Sequence, residues 1–417
     1  MSLISIAGQV DCLVHAHELL LHEPPSPQVV SEMAGRLADH HTLGEELLAV
    51  VSSPRYRELL GREMAPDATE RDEEWLEHVY LKLLDRGLDA GGSEYFGGQL
   101  RAGRTRADVV TELAACDEHV HRIVAGIYPL PNLRVKYPDQ YVDAPSRGGS
   151  TPCVHARTAS ELAWVSEMIM EADYYDRPGI WSWAVDTDKR VMAEVIAELE
   201  PESVLELGCA SGAMLGCLHA LGIPAQGVEL SATAARQATP EVRDAIHVGD
   251  VLDLDLRRTY DVVVGLDIFE HVTPTETAEL FRAAFDLVRP GGYLVANIPA
   301  FGEDRIFGTV FDTYVDDWEA SATRMEPFRV LHVDDNGFPL HGHLTWAATN
   351  WWEHTITDAG FVRETGIEAA LHRRYGAHFA SETPSRAAFY VFANDPLRRR
   401  ARRIARRVTR DRRPLPH

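Results

Sequence analysis

The sequence predicts an α/β protein, in which a doubly wound, mostly parallel sheet follows an all-helical N-terminal domain and precedes a basic C-terminal tail. Two observations predict the sheet. A buried-strand pattern, a glycine turn and an apolar helix succeed one another over residues 203–221 (SVLELGCASG, then AMLGCLHAL). Further apolar runs recur at intervals that leave room for a helix between them, which is typical of parallel sheets. A third observation, apolar residues at helical spacing, predicts the N-terminal domain.

The 417 residues exceed the usual size of one domain, so we expect two folded units and a tail. Composition and spacing divide the chain into a helical domain at 1–127, a linker at 128–155, an α/β domain at 156–396 and the tail at 397–417. Five scattered cysteines without a C-x-x-C pair favour a reducing compartment. The chain has no apolar run of about 18 residues and no basic start, so we expect a cytoplasmic protein.

The formal net charge of −23 is unevenly distributed along the chain. The tail holds ten arginines and one aspartate, so it carries +9 and leaves −32 for residues 1–396. Because phosphate binding needs a basic face, the acidic body argues against specific nucleic-acid contact. The tail could make peripheral contact with an anionic membrane, fold back on the acidic body or remain disordered, and these alternatives stay open. Its apolar residues fall at helical spacing: Leu397, Ala401, Ile404 and Val408.

The region 72–125 alternates helical runs with glycine-containing turns. Thr105 and Asp108 form a helix start that resembles a capping box, although Asp replaces the usual Glu or Gln. The region resembles the DUF4214 family, small all-helical modules of unassigned function that occur beside glycan-related and enzyme domains. The resemblance implies either a packing domain or a module for substrate presentation or dimerisation, so a homo-oligomer remains an open expectation.

The glycine turn at 208–212 is the strongest local signal of a ligand. Gly208 and Gly212 permit turn geometry and the close approach of a ligand, which a Cβ would obstruct. The spacing lacks the third glycine of the dinucleotide fingerprint, so the turn is not shaped around a pyrophosphate. A nucleoside without phosphates fits better. Cys209, inside the turn, is predicted to be a small packing residue rather than a nucleophile.

Three later apolar runs continue the strand pattern. The first ends with GVEL at 227–230 and places Glu229 about twenty residues after the turn, where doubly wound folds hold the acid that binds ribose hydroxyls. The second ends with HVGDV at 247–251. The third, YDVVVGL at 260–266, is continuous enough to be buried on both faces. A turn, RPGGYL at 289–294, then leads into a final run.

This ordered set resembles the class I S-adenosylmethionine-dependent methyltransferases over roughly residues 170–395. ELGCASG looks like their first motif, Glu229 like their ribose acid, Asp250 like their adenine contact, and RPGGYL like their turn into the fifth strand. The resemblance implies a seven-stranded, Rossmann-like sheet with a reversed last strand, and S-adenosyl-L-methionine as the cofactor. The cofactor-binding residues that it implies are Glu206, Gly208, Cys209, Ser211, Gly212, Glu229, Leu230, Asp250, Val251 and Asp267.

The string DIFEH at 267–271 follows the fourth strand, at the edge where parallel sheets bind ligands. A later HGH segment supplies His341 and His343. Ubiquinone-pathway O-methyltransferases and small-RNA 2′-O-methyltransferases carry a similar string, which binds a divalent metal together with a later histidine. Two alternatives remain open: metal-free base catalysis by one of the three histidines, and histidines that only satisfy loop carbonyls. The Mg²⁺ or Mn²⁺ ligands that the resemblance implies are Asp267, Glu270, His271 and His343.

An alcohol is a poor nucleophile while it is protonated, so the histidines favour an O-methyl acceptor that must lose a proton. The insertion at 301–338 is rich in aromatic residues and is expected either to line the acceptor pocket or to form a satellite core. We therefore predict O-methylation of a sugar hydroxyl on a glycan, glycolipid or glycosylated natural product. The alternatives are N- or carboxyl-methylation of a small metabolite, and a non-catalytic assembly module that binds the cofactor.

Overall fold

The computed structural model describes most of the chain, which forms two compact units. The helical unit comprises residues 1–130 and 170–182, and the sheet unit comprises residues 131–169 and 183–417. The described residues are 5–39, 41–65, 71–129, 131–146, 149–172, 174–177, 187–256, 258–306, 308–309, 318–327, 330–333, 337, 339, 342–382, 384–394 and 408.

Polar side chains cap the starts of the helices in the helical unit. Ser26, Ser53 and Asp89 each accept a hydrogen bond from the backbone N–H three residues ahead. The predicted capping box is confirmed, because the side chains of Thr105 and Asp108 each accept a bond from the other residue's backbone N–H. The helices are α1 (Ile6–Leu21), α2 (Pro27–Ala38), α3 (Leu43–Val51), α4 (Pro54–Glu63), α5 (Asp72–Leu84), α6 (Ala90–Arg101), α7 (Arg106–Ala115) and α8 (Asp117–Ile127).

The core of the helical unit is aliphatic and encloses one polar pair. The ring nitrogens of His119 lie 3.0 Å from the Tyr56 hydroxyl and 2.9 Å from the Leu83 carbonyl oxygen. Both nitrogens of the buried ring are therefore satisfied. Burial also lowers the pKa of His119, which keeps the ring neutral. The pair stabilises the packing of α4, α5 and α8.

The sheet unit alternates strands with helices, as the apolar pattern predicts. Its helices are α9 (Leu133–Lys136), α10 (Ala159–Glu171), α11 (Thr187–Ala197), α12 (Ala213–Ala220), α13 (Ala232–Arg236), α14 (Pro240–Arg243), α15 (Pro274–Leu287), α16 (Trp318–Arg324), α17 (Thr349–Asp358) and α18 (Thr365–Glu382). Its strands are β1 (Tyr141–Ser146), β2 (Gly149–His155), β3 (Val204–Leu207), β4 (Ala225–Glu229), β5 (Ile246–Val248), β6 (Tyr260–Leu266), β7 (Val288–Asn297), β8 (Glu303–Asp304), β9 (Gly308–Thr309), β10 (Val330–His332), β11 (Val362–Arg363) and β12 (Phe389–Ala393).

Seven of these strands form the main sheet, in the order β11-β12-β7-β6-β3-β4-β5. β3 pairs in parallel with β4 and β6, whereas β12 runs antiparallel to β7. The predicted seven-stranded sheet with a reversed last strand is therefore confirmed. β3, β6 and β12 are almost entirely buried because helices cover both faces, with α11, α12 and α18 on one face and α15 and α17 on the other.

The main sheet brings the ends of several strands to one edge. Leu207 at the end of β3 pairs with Gly265 of β6, and Leu266 at the end of β6 pairs with Asn297 at the end of β7. Because β12 is reversed, its first residue, Phe389, also pairs with Asn297, and the turn before β12 reaches the same edge. Ligands of open parallel sheets bind at this carboxyl edge.

The segment 128–155, where the sequence predicts a linker, contains β1 and β2, which form a smaller antiparallel sheet with β10. The Pro, Gly, Asp and Ser content of this segment predicts a loop. The segment forms strands because β1 and β2 pair with each other, and β2 also pairs with β10, which comes from the distant insertion. Cys153 of β2 and Val330 of β10 pack with Phe301 and Trp346.

The insertion at 301–338 and the tail are described only in part. Most of the aromatic residues expected in the insertion lie outside the described residues, and so does the expected amphipathic helix of the tail. Val408 is the described residue of the tail, and it is buried in a core cluster of the sheet unit. None of the helices in the described ranges is long and apolar enough to cross a bilayer.

Candidate active site

The glycine turn between β3 and α12 adopts left-handed backbone geometry at three positions. Gly208, Ala210 and Gly212 have φ values of 68°, 47° and 72°. A Cβ at Gly208 would lie 3.0 Å from Cδ1 of Ile268, and one at Gly212 would lie 3.1 Å from Cδ1 of Ile246. Both conformation and space therefore favour glycine at these two positions. The strain at Ala210 is typical of a site that holds its backbone for a ligand.

Glu229 at the end of β4 is joined to this turn directly. Its Oε2 accepts a hydrogen bond of 2.7 Å from the backbone N–H of Ala210, and its Oε1 accepts one of 2.7 Å from Ser231. The predicted ribose acid therefore lies beside the predicted cofactor turn. The two bonds fix the carboxylate between the loops that follow β3 and β4, as expected for a preorganised binding group.

Cys209 and Ser211 are the buried side chains of the turn. The Sγ of Cys209 occupies the space above Gly227 of β4, since a Cβ on Gly227 would come within 2.4 Å of it. Burial raises the pKa of the Cys209 thiol far above its usual range, so the reactive thiolate is not formed at neutral pH. These contacts support packing, rather than nucleophilic catalysis, as the role of Cys209.

The loops after β4 and β5 place apolar side chains at the surface around Asp250. Asp250 is exposed, and its Oδ1 accepts a hydrogen bond of 2.9 Å from the backbone N–H of Leu252. Leu230, Val248 and Leu252 are 44%, 49% and 43% exposed. Exposed apolar side chains beside an acceptor form a surface suited to a planar base. The exposure of Val248 and Leu252 could not be predicted from the sequence, because no local pattern encodes it. The half-buried Val251 packs against the core behind this surface.

Glu206 in β3 is an unusual buried acid. It is 5% exposed, and its Oε2 has no hydrogen-bond partner within the described part of the chain. Burial, with a further contribution from the nearby charge of Glu229, raises the pKa of Glu206 to about 8. A carboxylate in this position favours a cationic partner, because burial without one costs free energy.

Asp267, which follows β6, is paired with Arg386, an arginine that no sequence motif indicates. It has a left-handed φ of 53°, and its carboxylate accepts a hydrogen bond from Nη1 of Arg386. The same Nη1 lies 2.7 Å from Oδ1 of Asn297, and Nε of Arg386 binds Asp188. Arg386 lies in the turn before β12, far from Asp267 in sequence, so no motif spacing signals the pair. Burial raises the pKa of Asp267, and Arg386 acts in the opposite direction.

Glu270, His271 and His343 converge at the same edge. Their candidate ligand atoms all lie within 4.8 Å of one another, and the two imidazole rings have centroids 4.7 Å apart. Nε2 of His343 is 3.8 Å from Oε1 of Glu270. The carbonyl oxygen of Glu270 also accepts bonds of 2.8 Å and 2.9 Å from the backbone N–H groups of Leu344 and Thr345, which hold the later histidine segment beside the DIFEH string.

Of the predicted metal ligands, the structure therefore brings together Glu270, His271 and His343. Asp267 is instead engaged by Arg386 and is not part of the cluster. His341 lies outside the described residues.

The environment of Glu270 makes this cluster chemically distinctive. The side chain has no solvent exposure, and neither carboxylate oxygen has a hydrogen-bond partner among the residues described. Burial, followed by the negative charge of Asp267, raises the pKa of Glu270 well above its usual range. A shared proton or a bound cation would satisfy such a carboxylate. The mixed oxygen and nitrogen donors fit a divalent cation.

Trp346 lies beside His343, and two further rings pack against Trp346. The Trp346 indole donates a hydrogen bond of 3.1 Å to the His343 carbonyl oxygen, and its ring lies 5.0 Å from the imidazole. Phe301 stacks on Trp346 at 5.2 Å, and the ring of His332 from β10 lies 4.5 Å from it. The small sheet thus contributes to the packing that orients His343.

Two segments of the chain match known protein families. Residues 186–354 match a family described as a methyltransferase domain. Residues 51–123 match the domain of unknown function DUF4214, which overlaps the region in which the sequence shows that resemblance. The two matches fall in the sheet unit and the helical unit, respectively.

Curated relatives match part of the methyltransferase region. The ubiquinone biosynthesis O-methyltransferase of Albidiferax ferrireducens is 29% identical over 101 residues, which cover 22% of this chain and 39% of that protein. The protein of the same name from Paraburkholderia xenovorans is 29% identical over 105 residues, which cover 24% of this chain and 44% of that protein. The chain spans about two fifths of the length of these relatives.

Solved structures match a larger share of the chain at lower identity. The 1,6-didemethyltoxoflavin-N1-methyltransferase of Burkholderia thailandensis is 15% identical, with a TM-score of 0.36, over 60% of this chain and 97% of that one. An amino pentose methyltransferase from Micromonospora echinaspora is 23% identical, with a TM-score of 0.33, over 54% of this chain and 96% of that one. Together with the strand order of the main sheet, the family matches show that the sheet unit contains a class I, S-adenosylmethionine-dependent methyltransferase domain and that the helical unit contains a DUF4214 region.

Proposed function

We propose that the protein is an S-adenosylmethionine-dependent O-methyltransferase whose acceptor is a sugar hydroxyl on a glycan, glycolipid or glycosylated natural product. The observation that carries the proposal is the buried Glu270 carboxylate beside His271 and His343, at the edge of the sheet that holds the glycine turn. A hydroxyl acceptor loses a proton during methylation, so it needs a base or a cation that assists the loss of that proton. A carboxylate acceptor, which is already ionised, does not.

The residues of this cluster can hold and move the proton of the acceptor. The cofactor would supply the methyl group, and the hydroxyl oxygen would displace the sulfur from it, with sulfur keeping the electron pair of the broken bond. The hydroxyl proton passes to an imidazole nitrogen of His343 or His271. Glu270, 3.8 Å from His343, stabilises the resulting imidazolium. When bound, the cofactor supplies a methyl group already activated by the positive sulfonium, so the protein contributes mainly orientation and proton transfer.

A divalent cation is the second way in which this cluster could serve an alcohol acceptor. Glu270, His271 and His343 would hold it, since they offer one oxygen and two nitrogen donors at compatible separations. Such a cation lowers the pKa of a bound hydroxyl and orients it. The Glu270 oxygens that lack hydrogen bonds to described residues support this arrangement.

The curated relatives support oxygen as the acceptor atom. Both are named ubiquinone biosynthesis O-methyltransferases. The choice of a sugar as acceptor is supported by the aromatic residues of the insertion at 301–338 and by the resemblance of the helical unit to modules found beside glycan-related domains.

The proposal is tested by following S-adenosylhomocysteine formation with panels of glycosides, phenols, amines and carboxylates, before and after chelation and with Mg²⁺ or Mn²⁺ restored. We expect turnover with a glycoside, and a large loss in His343→Ala and His271→Ala. His354→Ala is the matched control, because His354 is a solvent-exposed histidine on α17.

Each outcome decides between the alternatives. Turnover that vanishes on chelation and returns with added metal supports the cation, whereas chelator-resistant turnover supports a histidine base. Methylation of an amine or carboxylate that survives both histidine substitutions would overturn the proposal. Cofactor binding without turnover on any acceptor class would favour a non-catalytic module.

A further inference from the structure

The sheet unit holds a buried ion cluster that the proposed chemistry does not use. Arg363 of β11 is its centre, and the side chain of Arg363 is 3% exposed. Its Nη1 lies 2.7 Å from Oε2 of Glu353 on α17, and its Nη2 lies 2.9 Å from Oδ2 of Asp304 on β8. Nε and Nη2 also donate to the carboxylate of Glu368 on α18. One guanidinium therefore joins β8, at the start of the insertion at 301–338, to α17 and α18.

The start of the insertion and the start of α17 are also bonded to each other beside this ion cluster. The backbone N–H of Thr349 donates a hydrogen bond of 3.1 Å to the Phe301 carbonyl oxygen, and the Thr349 hydroxyl donates one of 3.1 Å to the carbonyl oxygen of Glu303. Asp304 is the next residue after Glu303, and Glu353 lies about one helical turn after Thr349. The ion pairs therefore extend a connection that these hydrogen bonds begin.

The segment that precedes α17 carries His343 of the candidate active site. Phe301 stacks on Trp346, and the Trp346 indole donates a hydrogen bond to the His343 carbonyl oxygen. On its other side, the segment is held by the bond from the Leu344 N–H to the Glu270 carbonyl oxygen. The position of His343 beside Glu270 therefore depends on how the start of the insertion packs against this segment.

We propose that Arg363 is a positioning residue for methyl transfer, which keeps His343 beside Glu270 by clamping β8 to α17. This inference rests on the proposed function, in which His343 serves the acceptor. Arg363 acts through Asp304 and Glu353 and does not touch the acceptor itself. A displacement of about 1 Å in a reacting group can lower a rate about 100-fold, so a clamp at this distance from the chemistry can control turnover.

The chemistry of the ion cluster favours a geometric role over simple stabilisation. Buried ion pairs are weak stabilisers, because the free energy of desolvation offsets much of their attraction. Their directional strength is greater, since the planar guanidinium binds several carboxylates along fixed directions. Arg363 binds acids on three separate elements in this way, and a lysine ammonium would not reproduce that fork.

The inference is tested by comparing the turnover number, the cofactor affinity and the hydrogen exchange of purified full-length variants. Arg363→Gln removes the clamp, and Arg363→Lys keeps its charge without the planar fork. Asp304→Asn removes only the charge that Arg363 binds on the insertion. Turnover is measured with the glycoside acceptor and cofactor affinity by calorimetry, and hydrogen exchange is followed without acceptor.

Two arginines provide matched controls. Arg305→Gln is the local control, because Arg305 is an exposed arginine that also binds Glu353. Exposed ion pairs contribute little, so its turnover should match that of the wild type. Arg289→Gln is the stability control, because it removes the ion pair of the buried Asp261 at the amino end of β6, away from the carboxyl edge. It should lower the melting temperature and leave the turnover number unchanged.

We expect Arg363→Gln and Asp304→Asn each to lower the turnover number by about tenfold or more. Their affinity for S-adenosylmethionine should stay within about twofold of the wild-type value. Arg363→Lys should recover part of the loss. Hydrogen exchange should rise at 301–304 and 343–349 in both variants, since the bonds between these segments are no longer braced. The double variant should lose no more turnover than Arg363→Gln alone, because both substitutions break the same contact.

Three results would overturn the inference. A lowered melting temperature with an unchanged turnover number in Arg363→Gln would give the ion cluster a stabilising role only. Parallel losses of cofactor affinity and turnover would indicate a general disturbance of the sheet unit. Unchanged hydrogen exchange at 343–349 would show that the clamp does not hold the histidine segment. If Arg363→Gln does not fold, Asp304→Asn decides by the same three measurements.

Failure of the proposed function is distinguishable from failure of this inference. A wild-type chain that methylates no glycoside would contradict the proposed function. Hydrogen exchange at 301–304 and 343–349 requires no acceptor, so it would still decide whether Arg363 holds these segments together.

Discussion

Oε1 of Glu270 lies 3.8 Å from Nε2 of His343, and no part of the Glu270 side chain is exposed to solvent. The two residues come from different loops, one directly after β6 and the other before α17. Backbone hydrogen bonds from Leu344 and Thr345 to the Glu270 carbonyl oxygen hold the loops together. A buried acid held against an imidazole in this way can stabilise the protonated ring or share a cation with it.

Replacement of Glu270 by Gln should reduce the turnover number by about 100-fold or more, because the amide cannot stabilise an imidazolium or ligate a cation as a carboxylate does. The affinity for S-adenosylmethionine should stay within about twofold, which calorimetry would check. Glu276→Gln serves as the control, since Glu276 caps α15 and takes no part in the cluster. Turnover of Glu270→Gln at the wild-type rate would remove Glu270 from the mechanism.

Glu206 should make the stability of the protein depend on pH. Its pKa is about 8 in the folded chain, against an unfolded value of about 4.5. The proton is held more tightly in the folded state, so this contribution to stability is complete below the unfolded pKa and is lost as pH rises through about 8. Glutamine does not titrate, so the free energy of unfolding of Glu206→Gln should not fall in this way. The difference in the free energy of unfolding between the variant and the wild type should therefore rise by up to about 4 kcal/mol from pH 5 to pH 9.

Urea unfolding at a series of pH values, without cofactor, would measure this difference. A constant offset between Glu206→Gln and the wild type at every pH would show that Glu206 does not titrate in this range. Glu241→Gln, which replaces an exposed acid on α14, is the control. Its stability relative to the wild type should not increase above pH 5, because the pKa of Glu241 is lowered rather than raised in the folded chain.

Gly208→Ala should weaken cofactor binding and cost about 1–2 kcal/mol of stability, because φ is 68° there and the new Cβ would lie 3.0 Å from Ile268. Gly216→Ala, within α12, is the control. A Cβ there meets nothing closer than 4.0 Å, and alanine favours the helix. Calorimetry and thermal melts of both variants would check this. Equal effects of the two substitutions would argue against a special role for the turn.

Asp250→Ala should weaken the binding of S-adenosylmethionine and of 5′-methylthioadenosine alike, because both carry the adenine that the family resemblance predicts beside this residue. The affinity for each ligand should fall about tenfold, as expected for the loss of one or two hydrogen bonds. Asp253→Ala, at an exposed acid three residues later, is the matched control. Unchanged affinity in Asp250→Ala would place the adenine elsewhere.

Local patterns predict much of the cofactor side of the site. Gly208 and Gly212 follow a four-residue buried strand, and Glu229 follows one helix and one strand later, so short-range spacing is enough to place them at one edge. The seven-stranded sheet follows from the same repeated pattern of apolar runs. These features are predictable because turn geometry and burial on both faces restrict the residue type at each position.

The sequence by itself determined the order of the sheet elements, the glycine turn and the candidates Glu270, His271 and His343. Only the tertiary structure decided which of those candidates meet. It paired Asp267 with Arg386 instead of with the histidines. It also paired β2, which lies within the expected linker, with β10 of the insertion, and it exposed Val248 and Leu252 around Asp250. Side-chain pairing and strand pairing between distant segments depend on how the whole chain packs, so local residue preferences do not predict them.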